Sequence, residues 1–212
     1  MARPRLQNAE SKLLAAGLGL FAKEGTERVN SNSIARRAGM GVGTFYSHFA
    51  DKYALLREIE LRTLAGLRAV RLAAIREVGS DPTEQARQSI DAAVHFAEQH
   101  PEAYRVTFGR ERAGAGRHGP VVSESARPLA EALRRIQGEG WIAADVDVAL
   151  AARAYLSMEV GTLLWWLEDS TRATAVGLVE TLSRLHPAAN LITARQVRGQ
   201  GSPASGKVVP GS

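Results

Sequence analysis

Between Ile34 and Phe49 the chain reads IARRAGMGVGTFYSHF, basic at its start, thinned to Gly39, Gly41 and Gly43 in its middle, and aromatic at its close. Thr44, Tyr46 and His48 carry hydroxyl and imidazole groups, and Lys52 follows with an ammonium. These types at this spacing suit hydrogen bonding to anionic oxygen, as on a nucleic-acid backbone. A helix tip stripped to Gly41 and Gly43 lets a bulky partner approach the main chain, whose unpaired N–H groups attract phosphate. Base edges would fall to Val42, Gly43 and Ser47. Val42 can meet a thymine methyl, but none of the three offers a bidentate pairing, so base discrimination from this helix is modest. Ser31 and Asn32, and Arg3 or Arg5 as a minor-groove arm, are further candidate readers.

Competing chemistries lack their residues. The sequence has no Cys, which removes disulfides, thiolate metal sites and cysteine nucleophiles. Its five His (48, 95, 100, 118 and 186) form no H-E-x-x-H pair, and there is no G-x-S-x-G elbow and no P-loop. Residues 114–119, GAGRHG, match G-x-G-x-x-G by letter, but a helical pattern precedes them and Pro120 follows, so they read as a loop. Arg110, Glu111 and Arg112 read as a solvated charge cluster or as partners for a polar ligand group. No catalytic residue, metal or cofactor is expected, and the chain is not expected to be an enzyme. The alternative is a helical carrier of lipid or acyl ligands, or an enzyme, with a basic N-terminal interaction module; no catalytic constellation supports it.

The elements that position these residues are helices. Ala9, Leu13, Ala16, Leu20 and Phe21 recur at helical spacing up to Gly25. Asn30 can cap a second short helix that ends at Gly39, and a third runs from about Val42 to His48. That pair, joined by a tight Gly-containing turn, has the helix-turn-helix form. Asp51 caps a long fourth helix to about Val78. Further helices are expected at about 83–99, 101–113, 121–138, 146–169 and 172–186, with no convincing period-2 run between them. The fold class is therefore all-α: a three-helix helix-turn-helix domain over 1–53, a helical ligand-binding and dimerisation domain over 54–186, and a disordered Gly/Ser/Pro-rich tail over 187–212.

Net charge is +5 over 212 residues. Residues 1–53 hold eight Lys/Arg against four acids and residues 187–212 hold three against none, so the positive charge sits at the two ends. A basic front on a near-neutral body suits a polyanion-binding module. MARPRL is followed by no apolar run and no stretch reaches about 18 apolar residues, so neither a leader nor a membrane partner is expected, and the setting is expected to be cytoplasmic.

KLLAAGLGLFAKEG, IARRAGMGVGTFYSHF and DKYALL, as an ordered set over about residues 6–57, resemble the N-terminal domain of the TetR family of bacterial regulators. The resemblance implies a domain that binds a double-stranded DNA operator, a helical effector-binding body, and a homodimer released from DNA by a small ligand. It places Thr44, Tyr46, His48 and Lys52 on phosphates and Val42 and Gly43 at the base-contacting tip. Two positions depart from the family pattern: Gly41 stands where Ser usually caps the recognition helix, and Gly17 where Ala is frequent. HPEAYRVTFGRERAG, residues 100–114, is similar to a stretch in repressors of unsaturated fatty-acid synthesis from that family, which implies an apolar or acyl-type effector.

The run LAARAYLSMEVGTLLWWL, residues 150–167, is apolar on nearly every face and must be covered all round. With Val176, Val179, Leu182 and Leu185 it suggests an intersubunit four-helix bundle. Phe96, Tyr104, Phe108, Trp141, Tyr155, Met158 and Trp165 are the large side chains available to line an effector cavity in the body.

Overall fold

A computed structural model describes residues 4–112 and 121–191, with side chains over 8–109 and 126–191. Helices account for nearly all regular structure among them: α1 (Pro4–Glu24), α2 (Ser31–Arg37), α3 (Val42–His48), α4 (Lys52–Arg76), α5 (Pro82–Gln99), α6 (Pro101–Arg112), α7 (Val121–Gly138), α8 (Val148–Glu168), α9 (Ala175–Leu185) and α10 (Pro187–Asn190). No strand occurs among the described residues.

Local sequence explains where the helices start. Asn30 and Ser33 form a reciprocal cap on α2: Ser33 N–H donates to Asn30 Oδ1 at 2.9 Å, and Asn30 N–H donates to Ser33 Oγ at 3.2 Å. Asp51 accepts from the N–H groups of Tyr53 and Ala54 at 2.8 and 2.7 Å and starts α4. Asp81, Asp147 and Thr174 cap α5, α8 and α9 in the same way. Gly39, at φ +71°, makes the left-handed turn between α2 and α3 that a residue with a Cβ would resist.

Two cores organise the molecule. The front core gathers Leu13, Leu14 and Phe21 of α1, Ile34 and Ala35 of α2, Phe45 of α3 and Leu55, Leu56 and Ile59 of α4, with Val106 of α6. The body core joins Leu67 of α4 to α5, α6, α8 and α9. A smaller cluster under the α7–α8 pair includes Leu133, Ile142 and Val148. Spanning both main cores, α4 is about 37 Å long at 1.5 Å per residue. Gly17 lets α1 approach α4: a Cβ there would collide with Leu55 Cδ2, and Leu55 is fully buried. Packing therefore accounts for a glycine that helix propensity alone would disfavour.

The boundary expected at Pro187 moves. Residues 187–190 form one more helical turn, α10, in which Pro187 and Ala188 are buried and the chain packs on α5, α8 and α9. The cap is His186, whose Nδ1 accepts from Ala188 N–H at 3.1 Å. Residues 192–212 lie outside the described residues, as do Arg3 and the 114–119 loop. The same holds for the side chains of Arg5, Arg110, Glu111 and Arg112.

His186 yields a pH prediction. Burial first, then repulsion from Arg71, pulls its imidazole down to about 4. A base with a lowered folded pKa keeps its stability contribution above the ordinary value of 6.5 and loses it as pH falls toward 4, because the unfolded chain takes up the proton first. Unfolding free energy should therefore fall between pH 6.5 and 4, by at most about 1.4 kcal/mol per pH unit from this group. Urea titrations of wild type and His186→Asn at several pH values check it: the substitution should flatten that slope, and an equal slope would disprove the assignment.

Candidate nucleic-acid interface

The helix-turn-helix presents one anchored side and one open side. Phe45 is fully buried and Phe49 nearly so, with ring centroids 5.9 Å apart. They fix α3 to the front core. On the other side Val42 is 43% and Tyr46 57% exposed, and Gly41, Gly43 and Ser47 are exposed as well. Nothing lies within 4 Å of where a Cβ would stand on Gly41 or Gly43. The tip is therefore bare outward, and these glycines are not required by internal packing. Gly41 gives α3 no side-chain cap. Tyr46 is braced by an edge-on contact with Phe45 at 5.4 Å, which holds its ring at the rim of the open face.

Residues 13–59 match the family model for bacterial regulatory proteins of the tetR family. An HTH-type transcriptional regulator of Staphylococcus aureus strain USA300 is 40% identical over 47 residues, which are 20% of this chain and 25% of that one. The same match recurs in other strains of that organism, and it spans about a quarter of the length of these curated relatives. Over most of its length, the chain is similar to the solved structure of the TetR-family transcriptional regulator PfmR from Thermus thermophilus, at 25% identity and TM-score 0.62, covering 82% of this chain and 96% of that one. Residues 13–59 are therefore an N-terminal module of the TetR type. The fold also matches that of the fatty acid degradation regulator FadR from Bacillus halodurans, at TM-score 0.71 and 17% identity, covering 87% and 95% of the two chains.

Within this TetR-type module, the candidate DNA residues divide. Val42, Gly43, Tyr46 and Ser47 lie exposed on α3, with Thr44 half-buried beside them; Ser47 Oγ donates to Thr44 O at 2.7 Å. Ser31 and Asn32 sit in the first turn of α2, Asn32 exposed. Two expectations change. Lys52 Nζ donates to the carbonyls of Thr26, Val29 and Glu27 at 2.8, 2.9 and 3.3 Å, so its ammonium is committed to the α1–α2 connection and not held out for a phosphate. His48 is half-buried, and its Nε2 is enclosed with no hydrogen-bond partner, so that nitrogen is not presented at the groove edge.

The reassigned Lys52 carries a prediction. Lys52→Ala should lower stability by about 1–3 kcal/mol, since three carbonyls lose a charged donor, while the salt dependence of DNA binding stays close to wild type. Urea unfolding together with a salt titration of binding checks this; a flattened salt slope at unchanged stability would restore the phosphate role.

In the body, Phe96, Tyr104, Phe108 and Tyr155 are buried in the main core, and half-buried Met158 packs on it. Tyr104 and Phe108 stack at 4.5 Å. Trp165 departs from the expectation: it is 43% exposed on α8 with the Arg172 guanidinium 5.3 Å from its ring, on the outside of the body. Trp141 lies on the α7–α8 connection, outside that core.

Sequence reading passed over a polar cluster in this core. Arg71 of α4 donates to Glu159 Oε1 of α8, and its Nη1 donates to Ser89 Oγ of α5 at 3.1 Å. Glu159 is fully buried. Burial disfavours the Arg71 charge, and Glu159 more than offsets that. Burial first and then the Glu159 charge push the Tyr104 and Tyr155 hydroxyls far above the ordinary tyrosine range. A signal was present: Glu159 is the one acid in the apolar run 150–167, and an acid there requires a partner. Among the described residues no cluster of His, Cys, Asp or Glu is suited to a metal, and no helix is long and apolar enough to cross a membrane.

Proposed function

We propose that the chain is a sequence-specific DNA-binding transcription regulator that lays α3 in the major groove, works as a homodimer and leaves its operator when a small apolar ligand binds the body. One observation carries the reading: α3 is locked by Phe45 and Phe49 on one side and is bare at Gly41, Val42 and Gly43 on the other. A corner helix serving only the core has no need of that open tip. Tyr46 at the rim supplies a phosphate contact, and Val42 and Ser47 face base edges. Selecting bound duplexes from a random pool with the purified protein tests it. The expected product is a two-fold sequence with half-sites about one helical turn apart; a pool without enrichment overturns the reading.

The dimer is supported by an exposed stripe. Leu150, Ala154, Ser157 and Trp165 are exposed along one side of α8, with Gly161 half-exposed among them. On α9, Val176 is 68% and Leu185 51% exposed. Large apolar side chains at that exposure, Trp165 late in α8 and Val176 at the start of the following α9, suit an isologous contact with a second copy. Val176→Glu with Trp165→Asp should convert the dimer to monomer in sedimentation experiments and weaken operator binding at least tenfold; a variant that still sediments as a dimer would place the interface elsewhere.

Release requires the ligand to favour one conformer over another, and a useful switch needs roughly 1–3 kcal/mol of coupling. The lever in this proposal is α4, which begins beside the reading module and ends in the body core.

A further inference from the structure

The Arg71–Glu159 cluster takes no part in DNA docking, and its hydrogen-bonding capacity is not used up internally. Tyr155 Oη lies beside Glu159 but gives its proton to Leu182 O at 3.3 Å, and Arg71 serves Glu159 Oε1 and Ser89. Two atoms remain. Glu159 Oε2 and Tyr104 Oη are enclosed without a hydrogen-bond partner, on residues that are each 0% exposed. Native proteins rarely leave buried polar atoms unpaired, and two around one ion pair point to an occupant that completes them.

We infer that Glu159 and Tyr104 are the polar anchor of the effector site, and that the effector is a neutral, largely apolar molecule whose headgroup both donates and accepts a hydrogen bond, an alcohol being the simplest. The inference rests on the regulator reading above. Glu159 Oε2 accepts only, so it needs a donor, whereas the Tyr104 hydroxyl can donate to the same headgroup. An ester or thioester carbonyl accepts only and leaves the carboxylate oxygen without a donor. Charge decides the rest. Arg71 and Glu159 already neutralise each other, so a carboxylate or ammonium headgroup would add an uncompensated buried charge. Tyr104 belongs to the same apolar core as Leu67, Val94, Phe108 and Leu163, which suits an apolar remainder of the molecule. In this proposal the headgroup is of alcohol type, where the sequence resemblance implies an apolar or acyl-type effector. Because the other oxygen of Glu159 holds Arg71, a ligand that repositions this carboxylate also repositions a contact to α4.

Calorimetric titration of the full-length protein with three ten-carbon probes, 1-decanol, methyl decanoate and decanoate, tests the assignment. Wild type should bind 1-decanol at least about tenfold more tightly than the other two. Tyr104→Phe should melt at the same temperature or higher without ligand, since the lost hydroxyl has no partner, yet bind 1-decanol about tenfold more weakly. Equal 1-decanol binding by wild type and Tyr104→Phe is partition into the core only and overturns the anchor. So does tighter binding of the ester or carboxylate, or no binding of any probe. Binding of selected DNA by the same preparation separates the two readings: DNA binding without the alcohol preference removes the anchor and leaves the regulator, whereas absence of DNA binding removes the regulator whatever the probes do.

Discussion

Gly43→Leu should leave the protein folded and remove its preference for operator DNA. In the free molecule nothing stands within 4 Å of the added Cβ, and the position is open to solvent, so the leucine meets no neighbour. Helix propensity favours the substitution by up to about 1 kcal/mol, and the melting temperature should hold or rise slightly. In the proposed complex the same side chain stands between α3 and the base edges, and either the helix is lifted out of the groove or the duplex is displaced. Specific affinity should fall by about a thousandfold, toward the non-specific level, as read by fluorescence anisotropy with the selected duplex. Gly43→Ala should lie between. An unchanged affinity in the leucine variant would show that α3 does not enter the groove through this tip.

Arg71→Ala should be the most destabilising single change in the body. It leaves the fully buried Glu159 carboxylate without its cation, and such broken pairs cost about 3–5 kcal/mol. For a chain of this size that lowers the melting temperature by roughly 6–20 °C. The double variant Arg71→Met, Glu159→Leu should recover most of the loss, because two apolar side chains of similar volume fill the place of the pair without a desolvation cost. Calorimetric melting of wild type, single and double variants decides it. A single variant within about 1 kcal/mol of wild type would mean that the carboxylate finds another partner.

The front of the molecule was legible because its signals are local. Asn30, Gly39 and Asp51 each fix a helix end through their own backbone or side chain, and α2 and α3 begin and end where those residues place them. The separation of Phe45 and Phe49 from the open face of α3 follows from helical spacing alone. What escaped depends on residues distant in sequence. Lys52 reads as a free cation until the connection at Thr26–Val29 folds back over its ammonium. Arg71 and Glu159 lie 88 positions apart on helices whose register no local pattern reveals. Trp165 looks like core by composition, but its position on α8 turns it outward, where Arg172 covers its ring. Pro187 announces a helix end and also opens a new turn, which the buried His186 cap makes possible.

The opening turns of α4 belong to the front core and its later turns to the body, and Val106 reaches forward from α6 to fill the same front core. A swap experiment that transplants the reader onto a foreign sensor should therefore splice beyond Ile59, not at residue 53, and must supply an apolar plug where Val106 stood. In the intact chain the shared helix ties the melting of the two halves together, so a substitution that loosens the body core should also loosen the front core.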